Sequence, residues 1–172
     1  MKKSEIGTGR FYSDGKQGVR EVIDAGPQYK LYAEVQDDDC LRYRILNAKA
    51  QVNESEREGN STRTAFAAWA KQEIHADQVS MHLTRLQAEK IAGKLTDAQC
   101  IFLLTFDTDM SVTDSVECPR SEHRAAKSCH EKGIIDQVPS SLRAEDSQFE
   151  VTFTSLGLAV IATIHGQTTK SG

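Results

Sequence analysis

No stretch of this 172-residue sequence is apolar for the roughly 20 residues that a bilayer-crossing helix needs. The charged N-terminus, Met1-Lys2-Lys3-Ser4-Glu5, is followed by no apolar segment, so it does not read as a signal peptide. A cytoplasmic chain with no membrane partner is expected. Cysteine is scarce. Cys40, Cys100, Cys118 and Cys129 form no C-x-x-C pair and read as reduced thiols, not as a disulfide framework. Cys118, His123, Cys129 and His130 are close in sequence, but their spacings match no common zinc pattern, and no metal site is expected. Cys100 and Cys129 read instead as small buried apolar residues. There is no phosphate-cradling glycine loop and no G-x-S-x-G. The histidines, His75, His82, His123, His130 and His165, find no carboxylate or nucleophile partner in sequence. The expectation is a protein without enzymatic activity and without a cofactor.

What is present is ordinary for a folded protein: 38% hydrophobic and 27% charged residues. The net charge of −4 argues against broad, nonspecific nucleic-acid binding. It is unevenly spread. Residues 1–76 carry 12 acids and 12 bases, whereas residues 77–172 carry 13 acids and 9 bases. A DNA site in the second half must therefore be a small positive patch on an acidic body.

The first half alternates like a β-rich module. Arg10-Phe11-Tyr12, residues 18–23, residues 29–32 and residues 41–46 are strand candidates, separated by Ser13-Asp14-Gly15, Ala25-Gly26-Pro27 and Asp37-Asp38-Asp39. Leu41, Tyr43 and Ile45 would share one face, with Arg42 and Arg44 on the other. Residues 51–59 read as a polar loop. A helix capped by Asn60 or Ser61 should follow, with Phe66, Trp69, Ala70 and Ile74 as its apolar stripe and Trp69 anchoring the core. This order of short strands, polar loop and aromatic-bearing helix resembles small SH3-like modules of bacterial and phage proteins.

Residues 77–93 read as a further helix with Val79, Leu83 and Leu86 on its apolar side, a stripe available for pairing with a second copy unless the core uses it. Leu95-Thr96-Asp97-Ala98-Gln99-Cys100 is a capping box, and the apolar run after it predicts a central, buried helix. A short helical piece is expected around residues 109–116. Pro119 suits the first turn of a helix running to about Lys132 and stopped by Gly133. Ala125, Ala126 and Cys129 are its small buried side, and Arg120, Arg124 and Lys127 recur at i, i+4 and i+7 on another.

The run Cys129-His130-Glu131-Lys132-Gly133-Ile134-Ile135-Asp136 resembles the recognition-helix exit of winged helix-turn-helix regulators such as the MarR and PadR families. Phe149-Glu150-Val151-Thr152-Phe153, leading into Thr154-Ser155-Leu156-Gly157, is similar to their ending of strand, Thr-x-x-Gly and helix. The resemblance covers residues 95–168. It implies an α+β chain with a β-rich N-terminal module (1–76), a linker or first helix (77–94) and a C-terminal winged-helix domain (95–172). It also implies a DNA-binding regulator of bacterial, phage or mobile-element type that reads double-stranded DNA as a homodimer. Ser121, His123, Arg124 and Lys127 would then face bases, and Arg120 and Arg143 would hold phosphates. The alternative is an interaction protein of a phage or mobile element that binds and modulates a host protein, because fold alone does not settle function.

Overall fold

A computed structural model describes residues 1–32, 37–47 and 57–168. The chain is α+β, and its contacts divide it into two compact units, Met1–Leu83 and Thr84–Gly172.

The first unit is built on period-two strands. β1 (Phe11–Ser13), β2 (Val19–Ala25), β3 (Cys40–Ile45), β4 (Glu58–Thr62) and β5 (Gln72–Ile74) form one antiparallel sheet in the order β4-β3-β2-β1-β5. The β1–β2 turn is the Asp-Gly turn expected from sequence. Asp14 Oδ1 accepts from the amides of Lys16 (2.8 Å) and Gly18 (2.9 Å), and Gly15 takes φ +75°, which a side chain would oppose. Leu41 points into the core, while Arg42 and Arg44 reach across to Glu58 on β4. The core gathers Ile6, Tyr12, Val22, Leu41, Phe66, Ala67 and Ala70.

Three expectations for this unit need correction. Residues 29–32 are not a strand: Pro27 fixes the backbone for a 3-10 turn over Pro27–Tyr29, and the Tyr29 hydroxyl is tied to Asp24 at 2.5 Å. Asn60 and Ser61 do not cap a helix but lie on β4, and the cap of α1 (Arg63–Trp69) is Thr62, which accepts from Ala65 N at 3.1 Å. The helix also stops before Ile74. Lys71 N donates to Ser13 O at 2.8 Å, so the chain leaves α1 to pair along β1, and Ile74 is buried from β5 opposite Phe11. Of the polar loop expected over residues 51–59, residues 51–56 lie outside the described residues.

α2 (Val79–Ala92) spans the division between the units. Leu86 is buried and Val79 and Leu83 are half-buried.

The second unit places α3 (Asp97–Leu103), α4 (His123–Glu131) and α5 (Ser155–Thr168) with a three-stranded antiparallel sheet in the order β6-β8-β7. The strands are β6 (Ser115–Pro119), β7 (Ile135–Gln137) and β8 (Gln148–Phe153). Its core includes Phe102, Leu103, Phe106, Cys129, Val151, Phe153 and Ile161, with Phe106 edge-on to both Phe102 (5.0 Å) and Phe153 (4.8 Å). The capping box is present in both directions: Thr96 N donates to Gln99 Oε1 (3.0 Å) and Gln99 N to Thr96 Oγ1 (3.4 Å). α3 is less enclosed than its composition predicts. Phe102 and Leu103 are buried, but Ile101 is 67% exposed, because successive helical residues are turned by about 100° and Ile101 falls off that face.

Residues 109–116 hold no helix. Asp114 instead closes a turn by accepting from Ser111 N (2.7 Å) and Ser111 Oγ (3.0 Å), and the chain then enters β6, where Cys118 lies opposite Phe149. A single helical segment therefore separates β6 from β7.

Two helix ends fix the frame around α4. After it, Gly133 adopts φ +72°, Gly133 N donates to His130 O (2.9 Å) and Ile134 N to Cys129 O (3.0 Å), the double bond of a Schellman ending. Before α5, Thr154 Oγ1 donates to Gly133 O (2.7 Å) and accepts from Gly157 N (2.9 Å). Gly157 presses onto the backbone beside β7: an added Cβ would lie 1.9 Å from Ile134 O.

Candidate functional site

α4 and the loop that joins β7 to β8, residues 138–147, make one surface. The helix buries Ala126 and Cys129 and leaves Arg124 and Lys127 exposed. Gln99 of α3 sets its rotation by donating to Ser128 Oγ at 2.7 Å. Arg120 and Ser121 are not part of the α-helix, as the expected i, i+4, i+7 pattern required. They occupy a 3-10 turn (Arg120–Glu122), because Arg120 N is drawn to Ser147 O at 2.9 Å where β6 and β8 part.

The loop is fastened to this helix and to the 3-10 turn before it by its own carbonyls. Lys127 Nζ donates to Ser140 O at 3.0 Å, and Arg120 Nη1 donates to Asp146 O at 2.9 Å and also to Arg143 O. His123 Nε2 meets Pro139 O at 2.7 Å, and its ring stands edge-on to Phe149 with centroids 5.2 Å apart. Within the loop, Arg143 N donates to Asp146 Oδ2 at 2.7 Å and Asp146 N returns a bond to Arg143 O at 3.2 Å.

The six predicted side chains thus fall into two sets. Arg120, His123 and Lys127 hold the loop. Ser121, Arg124 and Arg143 are exposed, and among the described residues the side chains of all three are without a hydrogen bond or ion pair. A depression of about 450 Å³ is lined by His123, Arg124, Lys127, Ser128 and Glu131.

No family model, curated protein or solved structure matches the chain.

The charge of the surface is balanced. Residues 120–147 hold five bases (Arg120, Arg124, Lys127, Lys132, Arg143) and five acids (Glu122, Glu131, Asp136, Glu145, Asp146). Bonding to carbonyls does not discharge Arg120 or Lys127, but it fixes where their charge sits. The nearby thiols are buried, and burial pushes Cys118 and Cys129 up to about 11, with Glu122 adding to the first. His130 is exposed while Cys129 is buried, so these neighbours point apart. Among the described residues no three His, Cys, Asp or Glu side chains converge as a metal-holding group.

Sequence reasoning missed the carbonyls of Pro139, Ser140, Arg143 and Asp146, the groups that order the loop. Backbone acceptors leave no residue-type signal. The spacing of Arg143 and Asp146 was a usable sign, since an aspartate commonly bonds a nearby backbone amide in a turn.

Proposed function

We propose that the α4–loop surface binds double-stranded DNA, with α4 as the reading helix and the loop 138–147 as a wing beside it. The observation that carries this reading is the division of labour among the cations. Arg120 and Lys127 bring the loop against α4, which leaves Arg124 on the helix and Arg143 on the loop exposed and unspent. Arginine on a helix suits guanine edges in the major groove, and arginine on a flanking loop suits phosphate. The unit departs from the winged helix-turn-helix pattern by having one helical segment between β6 and β7. α3, which packs against α4, takes the place of the supporting helix. On this reading two copies of the chain meet paired half-sites as a homodimer.

A second reading has its own support. The balanced charge of residues 120–147 and the net −4 of the chain favour a host protein as partner over a polyanion. A mobility-shift assay with mixed duplex fragments at 50 and 200 mM salt separates the two. On the DNA reading Arg124→Ala should cost about 1–3 kcal/mol, a base-contact loss, and Arg143→Ala should reduce the salt slope by about one phosphate. Absence of a shift at 50 mM salt would hand the surface to the protein-binding reading.

A further inference from the structure

The first unit carries an arginine whose environment the reading above does not use. Arg20, on β2, places its guanidinium carbon 4.3 Å from the centroid of Tyr43 and 4.1 Å from that of Trp69. Tyr43 comes from the neighbouring strand β3 and Trp69 from the last position of α1. Both rings pack on Phe66, with centroids 5.7 and 5.2 Å away. Two glycines keep the arrangement open: a Cβ at Gly18 would come 2.9 Å from Trp69 Cζ2, and one at Gly59 would come 2.7 Å from the Tyr43 hydroxyl.

A guanidinium has five N–H donors in a fixed plane. Arg42 and Arg44 spend theirs on Glu58. Arg20 is half-buried, yet among the described residues its guanidinium makes no hydrogen bond and no ion pair. The two rings hold its plane by cation–π contact, so the donor edge is rigid and unpaired. Such a fork matches a carboxylate in two parallel bonds. The ligand's charge is bounded as well. Asp14 stands beside the site at Gly18, and on the strands Arg42 and Arg44 are balanced by Glu21 and Glu58. One free cation next to a carboxylate balances a single negative charge better than the double charge of phosphate.

We propose that Arg20, Tyr43 and Trp69 form a binding site for one carboxylate side chain of a partner polypeptide, with the rings supplying apolar contact to the flanking chain. The inference does not depend on the DNA reading. Trp69 is the only tryptophan, so its fluorescence reports the site directly. The full chain would be titrated with capped Gly-Glu-Gly, with capped Gly-Gln-Gly, with acetate and with inorganic phosphate. The expected result is a saturable change with the Glu peptide and at least tenfold weaker responses to the other three. Arg20→Gln should lose the response at least tenfold. Arg20→Lys, which keeps the charge but not the fork, should weaken it several-fold and covers the case in which Arg20→Gln fails to fold. A silent Glu titration, equal responses to the Glu and Gln peptides, phosphate binding as tight as the Glu peptide, or an unchanged response in Arg20→Lys would each overturn the proposal. Acetate as effective as the peptide would overturn its polypeptide source.

Discussion

Cys40, Cys118 and Cys129 are buried, and Cys100 is half-exposed. Desolvation raises the three buried thiols, to about 11 for Cys118 and Cys129, and only a thiolate reacts readily. A thiol reagent at pH 8 should therefore label Cys100 quickly and the other three only after denaturation. Rapid modification of Cys129 in the native protein would show that the buried side of α4 opens to solvent. Gly157 makes a sharper test of a single position. Its missing Cβ leaves room for the Ile134 carbonyl, and backbone cannot yield as a side-chain end can. Gly157→Ala should destabilise the second unit by about 3 kcal/mol, the upper range of overpacking, in a denaturant melt. In the same helix, Gly166 meets nothing within 4 Å of an added Cβ, and Gly166→Ala should be neutral or gain up to about 1 kcal/mol. Similar losses from both substitutions would remove the close approach as the cause.

Elements with a local chemical signature were legible from sequence. The capping box at Thr96 and Gln99, the Asp-Gly turn after β1, the small buried side of α4 and its glycine stop all depend on residues within a few positions of one another. Elements set by a distant partner were not. β4 is polar throughout, Glu-Gly-Asn-Ser-Thr, and becomes a strand because β3 offers it a ladder from Cys40 to Arg44. β5 interrupts an apparent helical stripe because β1 has an open edge, and β6 replaces an expected helix because β8 pairs with it. At the candidate site the residue types were legible, but their roles were not: three of the six side chains face the loop's carbonyls. That arrangement can be measured without any ligand. Removing Arg120 deletes the bonds at Arg143 and Asp146, so in Arg120→Ala the amides of these two residues should exchange about three- to tenfold faster. Lys127→Ala, whose bond is at Ser140, should affect them less. Exchange that is identical in wild type and Arg120→Ala would mean the loop orders itself through Arg143 and Asp146 alone.

At the scale of the whole chain, each unit has its own core. The first unit is tied by carboxylates shared between cations. Asp39 bonds Arg63 Nε at 2.7 Å and Lys3 Nζ at 2.9 Å, joining the start of α1, the N-terminal segment and the approach to β3. The Arg63 bond first, and the Lys3 bond after it, hold the Asp39 carboxyl below its ordinary value. Glu58 is held low in the same way by Arg42 and then Arg44. A carboxylate whose folded value is depressed stabilises the fold above its unfolded value of about 4, and that contribution is lost as pH falls through the folded value. The first unit should therefore lose stability below about pH 4, where the unfolded chain takes up protons that the folded unit resists. Trp69 lies in this unit and reads it alone. Asp39→Asn should lower stability at pH 7, since it leaves Arg63, whose side chain is only 20% exposed, without a counter-charge. It should also flatten the fall below pH 4, because one of the three carboxylates held low in this unit, Asp24, Asp39 and Glu58, is gone. Urea midpoints taken from Trp69 emission between pH 7 and pH 3 would decide it. If wild type and Asp39→Asn fall in parallel across that range, the acid limb belongs to Glu58 and Asp24, and the Asp39 tie is held by its bonds without its charge.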